Sequence, residues 1–309
     1  MMRRLLVLLS LLILAAVQPA HSAPLKLGVL PAADTIVLHV AADEGLFAKQ
    51  GLEVELVPFQ SALELGAAMR AGALSGHFGT SSTSMQNESG SPQAIVATTS
   101  HSSPDNRCFG LVVSPSPKRK LWPTSKGRTL RFPAPPSLIC SRSSSSRKGP
   151  LPDFLNRQDI RQIPVRLQML LSGQIESALL PEPLVSLVEA KGARTILNDC
   201  KLNTLLAVIA LKRDVLDAPD GAQTVAKFRE ALREAAKCIN ETPDAYRPIM
   251  EAKGLLPKGA SANYTMVRFD MTHTPTGLPS EADIKTFADW MKANRILKKD
   301  PAYGDVVFQ

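Results

Sequence analysis

Between Leu25 and Gly79 the chain alternates twice between extended and helical patterning, and this alternation constrains the fold more than any other feature. Leu25-Lys26-Leu27-Gly28-Val29-Leu30 alternates apolar and small or polar residues as a strand does. Asp34 and Thr35 then supply N-cap chemistry for a helix from Ile36 to Gln50. Gly51 stands where a left-handed residue ends such a helix. Leu52 to Phe59 reads as the next strand, and Ser61 caps a second helix that stops at Gly72. Strand, helix, strand and helix in short steps require crossover connections, which build a parallel sheet covered by helices.

The same unit recurs. Arg70-Ala71-Gly72-Ala73-Leu74-Ser75-Gly76-His77-Phe78-Gly79 aligns in pattern with Leu171-Ser172-Gly173-Gln174-Ile175-Glu176-Ser177-Ala178-Leu179-Leu180: a helix end, a glycine stop, a turn and a short strand. A chain of 309 residues exceeds one ordinary core, so two similar α/β lobes are expected. Further along, Ala193–Leu197 and Leu205–Leu211 read as strands. Gly221 to Asn240 reads as a helix with Val225, Phe228, Leu232, Ala235 and Ile239 on one stripe. Thr242-Pro243 opens another helix that Gly254 closes, and Ser280 with Asp283 forms a capping-box pattern before a last helix carrying Phe287, Trp290 and Met291.

The first 22 residues have the layout of a cleaved export signal. Arg3 and Arg4 precede an apolar run from Leu5 to Val17, and Ala20-His21-Ser22 places small residues for a cut before Ala23. That run is shorter than the ~20 residues a membrane span needs, so a periplasmic location is expected. Export permits disulfides. The four cysteines, Cys108, Cys140, Cys200 and Cys238, allow three pairings, and their spacing matches no zinc pattern.

Residues 114–150 break the surrounding pattern, with nine Ser, seven Pro, nine Lys or Arg and no acid. Taking those nine cations from a net charge of +8 leaves the rest of the chain close to neutral, so the basicity is local. A basic loop, a patch for an acidic surface, and a stretch translated out of frame all remain open. The last is our hypothesis, because patterned sequence stops at Val113 and resumes near Pro150. A nucleic-acid site is not expected, since stacking aromatics are limited to Trp122 and Phe132.

Gly28-Val29-Leu30-Pro31, the segment Ala41-Ala42-Asp43-Glu44-Gly45-Leu46-Phe47-Ala48-Lys49-Gln50-Gly51-Leu52-Glu53-Val54, and Met69-Arg70-Ala71-Gly72-Ala73-Leu74 resemble the sulfonate/nitrate/taurine and thiamine-precursor family of ABC-transporter substrate-binding proteins. Met169 to Pro183 and the tail Trp290 to Tyr303 look similar too. The resemblance implies a two-lobed, type II periplasmic-binding-protein-like α/β fold, each lobe a mostly parallel sheet flanked by helices. Lobe 1 would take residues 23–112 and 206–309 and lobe 2 residues 113–205, with crossings near 111–113 and 204–208. It also implies a monomer that closes on a small polar molecule (a sulfonate, a nitrate-like anion or an aminopyrimidine) and hands it to an ABC permease in the inner membrane, with no cofactor.

In such sheets ligands sit beyond the carboxyl ends of strands, near helix N-termini. Four stretches qualify: Ala32-Ala33-Asp34-Thr35, Gly79-Thr80-Ser81-Ser82, Thr98-Thr99-Ser100 and Pro181-Glu182-Pro183. The candidate ligand-binding residues are therefore Asp34, Thr35, Thr80, Ser81, Thr99, Ser100 and Glu182. Hydroxyls suit a small polar or anionic ligand, whereas Asp34 and Glu182 favour an amine or amidine; Asp34 also has the alternative role of a helix cap. The resemblance implies a further second-lobe helix N-terminus near Ser137, but that position lies in the anomalous segment 114–150 and no role is carried over to it.

Two other functions keep the same architecture: an enzyme of cofactor-precursor metabolism, and a ligand-binding sensor component. No catalytic residue is assigned, because no nucleophile motif, metal spacing or phosphate loop is present, and the five histidines are scattered. His77 reads as a core or cleft histidine, and His101 as one able to line the cleft.

Overall fold

The computed structural model describes residues 24–81, 85, 91–104, 106–115, 160, 162–201, 205–257, 264–273 and 275–309. The expected signal segment, Ser82, Ser137, Cys140 and nearly all of the anomalous stretch 114–150 lie outside these residues.

Two sheets organise the described chain. The first holds five strands in the order β2-β1-β3-β8-β4: β1 Leu25–Val29, β2 Val54–Pro58, β3 Gly76–Thr80, β4 Gln93–His101 and β8 Leu205–Lys212. The second holds three in the order β6-β5-β7: β5 Phe109–Val113, β6 Ser177–Pro181 and β7 Arg194–Asn198. The two-lobed α/β arrangement is as expected, but the sheets are more mixed than expected. In the first sheet β1 pairs parallel with β2 and β3, while β8 pairs antiparallel with β3 and β4. In the second, β5 is antiparallel to both neighbours.

The opposed strand in each sheet is the one that has just arrived from the other lobe. The chain leaves β4 and β7 at their carboxyl ends, so it enters the next sheet from that end and must run against its neighbours. The crossings also differ from the expected positions. β5 lies wholly in the second sheet and β8 wholly in the first, so the chain changes sheets between His101 and Phe109 and between Asn198 and Leu205. An apolar run such as Phe109–Val113 fits either sheet; the connection is the polar stretch before it.

Local chemistry sets the helices. After a 3-10 turn at Ala33–Thr35, the helix expected from 36 to 50 is divided into α1 Ile36–Asp43 and α2 Leu46–Lys49. The break falls at Gly45, whose φ of 68° leaves the helical region. Helix α3, Ala62–Arg70, begins where the Ser61 side chain accepts the amide of Glu64.

The repeat is reproduced in three dimensions. α3 and β3 have counterparts in α4, Ile163–Leu171, and β6, with every boundary shifted by the same interval. Gly72 and Gly173 close the two helices at φ 74° and 69°. In each turn the next residue's amide reaches back to a helical carbonyl, Ala73 to Ala68 at 3.1 Å and Gln174 to Met169 at 2.9 Å. Both are Schellman-type ends, in which the left-handed residue lets orphan carbonyls find donors.

In the second lobe α5, Leu184–Ala190, packs on all three strands of its sheet. In the first lobe α6, Arg213–Leu216, leads into α7, Gly221–Glu241. The apolar stripe of α7 is buried from Val225 to Ile239, and Phe228 stacks on Phe47 with ring centroids 5.3 Å apart. A 3-10 turn at Pro243–Tyr246 precedes α8, Arg247–Ala252. The capping box of Ser280 and Asp283 is present on α9, Glu281–Ala293, and buries Phe287, Trp290 and Met291. After α10, Tyr303–Val306, the tail joins the edge of β4, where the Phe308 amide donates to the Ile95 carbonyl at 2.9 Å. No helix among the described residues is long and apolar enough to cross a membrane.

Candidate functional site

The carboxyl ends of β1, β3, β4 and β6 face one cavity of about 220 Å³. The first sheet contributes Ala32, Ala33 and Asp34 after β1, Phe78 to Thr80 at the end of β3, and Ser100 near the end of β4. The second contributes Pro181 and Glu182 after β6. Asn106, Arg107, Cys108 and Phe109 line it from the first crossing, and Tyr264 and Val267 from the segment after α8. One helix N-terminus from each lobe also reaches it, through Ser61 and Ala62 of α3 and Ile163 of α4. These are the repeat-related helices, so the duplicated unit presents equivalent ends to the same space.

Asp34 is the carboxylate in the cavity wall with no cation among its described hydrogen-bond partners. It does not cap a helix, and neither does Thr35; the 3-10 turn orients it instead. Its Oδ2 accepts from Thr99 Oγ1 at 2.6 Å. Burial pushes its pKa up to about 6, against the lowering effect of the Thr99 hydroxyl and its own backbone amide. The surface it keeps opens on the cavity, so any ligand charge acts on it directly.

Glu182 has a different environment. Arg107 Nε donates to its Oε1 at 2.6 Å, and the Ser186 amide donates to Oε2 at 3.2 Å. The second bond places the carboxylate over the first turn of α5. Arg107 also donates to both oxygens of Glu189, at 3.0 and 2.8 Å. Burial opposes its charge, but the two carboxylates outweigh that and raise the guanidinium's pKa. Glu182 thus already has a cationic partner from the protein.

The remaining candidates separate. Thr80 and Ser100 line the cavity. Thr99 stands behind Asp34 and acts through it. Thr35 Oγ1 donates to the Ala32 carbonyl at 2.7 Å and holds the turn. Ser81 is fully buried and does not line the cavity. The Thr98–Ser100 stretch, expected beyond a strand end, lies within β4, with irregular register against β8. His77 is fully buried on β3, and His101 is buried at the end of β4 outside the cavity lining.

Several lining residues escaped the sequence reading. Arg166 is buried on α4, where its Nη1 donates to the Leu179 carbonyl at 2.8 Å and its Nη2 to Ile160 at 2.9 Å. A single arginine within IPVRLQMLL was a legible signal for it. Arg107 and Tyr264 carried no such local signal. Asp199, at the second crossing, accepts the amides of Cys108 and Phe109 at 3.1 and 3.0 Å and joins the two connections. Its pKa is raised to about 6 by burial, against the lowering effect of those amides. Cys108, Cys200 and Cys238 are free thiols, and burial raises the pKa of Cys108.

By sequence, no family model and no curated protein matches the chain. By structure the likeness is extensive. The alkanesulfonate-binding protein SsuA from Xanthomonas axonopodis pv. citri, bound to MOPS, superposes with a TM-score of 0.71 at 17% identity, covering 94% of this chain and 99% of that one. The zinc-bound ligand-binding component of an ABC-type import system from Staphylococcus aureus gives a TM-score of 0.70 at 15% identity, with 93% and 97% covered. The periplasmic nitrate-binding protein NrtA from Synechocystis PCC 6803 gives 0.57 at 14% identity, with 74% and 65% covered. The fold of this chain, with its cavity between two lobes, is that of the periplasmic substrate-binding proteins.

Proposed function

We propose that this chain is the solute-binding component of an ABC importer, working outside the inner membrane and passing a small polar molecule from its inter-lobe cavity to a membrane permease. The observation that carries the reading is the cavity itself. It is walled by strand ends from both sheets, with a helix N-terminus from each lobe, within a fold whose solved neighbours are described as binding components. The export pattern of residues 1–22 agrees with a periplasmic place of work.

The cavity's polar groups narrow the ligand. Arg107 is committed to Glu182 and Glu189, and Arg166 to backbone carbonyls. Asp34 is the ionisable group best placed to answer a ligand, alongside the hydroxyls of Thr80 and Ser100. A flat, partly apolar molecule with a basic nitrogen, such as an aminopyrimidine, satisfies Asp34 in its charged form. A sulfonate or nitrate-like anion needs Asp34 protonated and depends on the helix N-termini.

Calorimetric titration with alkanesulfonates, nitrate and aminopyrimidines at pH 5 and pH 8 tests the proposal. Affinity for a basic ligand should rise between those values as Asp34 ionises, and affinity for an anion should fall. Absence of binding by every compound at both pH values would count against the transport reading.

A further inference from the structure

Away from the cavity, one carboxylate lies between two imidazoles. Asp270 Oδ2 is 2.5 Å from His273 Nδ1 and 3.7 Å from His101 Nδ1. The two rings stack with centroids 4.5 Å apart and an interplanar angle of 24°. Each of the three side chains offers a donor atom, and these atoms all lie within 4.8 Å of one another.

We propose that His101, Asp270 and His273 form a binding site for a divalent first-row transition-metal ion. Two imidazole nitrogens and one carboxylate oxygen are a donor set that such ions take with a water in the fourth position. A tetrahedral ion with bonds of about 2.0–2.2 Å needs donors roughly 3–3.5 Å apart, and the separation of His101 from Asp270 is already close to that. Asp270 and His273 are about half exposed, so they have room to adjust, while His101 is fixed in the buried end of β4.

The turn that carries the two exposed ligands is held in place. The Thr272 amide donates to Asp270 Oδ1 at 2.9 Å, the His273 amide donates to the Asp270 carbonyl at 2.9 Å, and Thr98 Oγ1 donates to the His273 carbonyl at 2.6 Å. These contacts orient the ligands as outer partners do around metals. A bound ion would fasten the last residue of β4, beside the first crossing, to the segment 264–273. Tyr264 and Val267 of that segment wall the cavity. The ion would thus brace one side of the cleft.

The test uses the full chain without an affinity tag and zinc as the probe, titrated against a chromogenic chelator. One zinc per chain should bind, and His273→Ala and Asp270→Asn should each weaken it at least tenfold. Both positions are exposed, and the Asn variant keeps the side-chain shape, so folding is expected to survive; circular dichroism checks this. Zinc should raise the melting temperature of the parent and not of the variants. Cobalt substitution should give a d–d spectrum without a thiolate charge-transfer band, separating this site from the cysteines. No zinc binding by the parent at micromolar concentrations, unchanged binding in both variants, or a thiolate band would overturn the proposal.

Discussion

Replacing Asp34 by Asn should stabilise the protein, and should do so only above about pH 4. The carboxyl's pKa rises from 3.8 to about 6 on folding, chiefly through burial. A carboxyl with a raised folded pKa holds its proton more tightly when folded. Its contribution to stability therefore declines as pH climbs from the unfolded value through the folded one, and stays low above that. At about 1.4 kcal/mol per pH unit the full gap amounts to about 3 kcal/mol. Water in the cavity beside Asp34 screens part of this, leaving an expected effect of about 1 to 3 kcal/mol. Asn cannot ionise, and its amide oxygen can still accept from Thr99 Oγ1. Thermal denaturation of parent and variant, measured every half unit from pH 4 to pH 8, should give coincident curves near pH 4 that diverge up to pH 6 and then run parallel. For a chain of this length the plateau corresponds to a few degrees. A constant separation at all pH values, or a less stable variant at pH 8, would refute the account of a desolvated Asp34 with no cation beside it among the described residues.

Glu182→Gln should destabilise the fold by about 1–3 kcal/mol in urea denaturation, because Arg107 loses one of two carboxylates in a largely buried network. An unchanged midpoint would mean that Glu189 alone satisfies Arg107. Gly72→Ala and Gly173→Ala should each cost about 1 kcal/mol, since both positions hold φ near 70°. Because they lie in different lobes, the double variant should show the sum; a strong departure from additivity in denaturation would contradict independent turns. Ser280→Ala should cost about 1 kcal/mol by removing the hydroxyl that accepts the Asp283 amide, while the backbone amide of residue 280 keeps its bond to the Asp283 carboxylate, and an unchanged melting temperature would show that the packing of Phe287 and Trp290 alone fixes that helix end.

What the sequence disclosed follows from the range of each interaction. Gly72, Gly173, Ser61 and the Ser280–Asp283 pair act within one helical turn, so their roles could be read from neighbours alone. The strand-end rule found Asp34, Thr80, Ser100 and Glu182 because topology forces those positions toward one side. It did not separate Thr99 from Ser100, which depends on how β4 is kinked against β8, a partner more than 100 residues away. It also read Glu182 as open to ligand, because nothing local announces that Arg107 approaches it across the first crossing. The His101, Asp270 and His273 cluster was invisible for the same reason: its members meet only when the segment after α8 folds back on the end of β4.

The placement of β8 has a consequence for the timing of synthesis. β8 is the strand that separates and joins β3 and β4, and it pairs along the length of both. A ribosome that has finished β4 must still make about 100 further residues, at roughly 5–20 residues per second, before β8 emerges. Throughout that interval β3 and β4 each present an unsatisfied inner edge, the kind of surface that invites association with other chains. Any interruption of the second lobe therefore also leaves the first incomplete, and a chaperone that shields nascent strand edges would matter most to this protein before residue 205 is added.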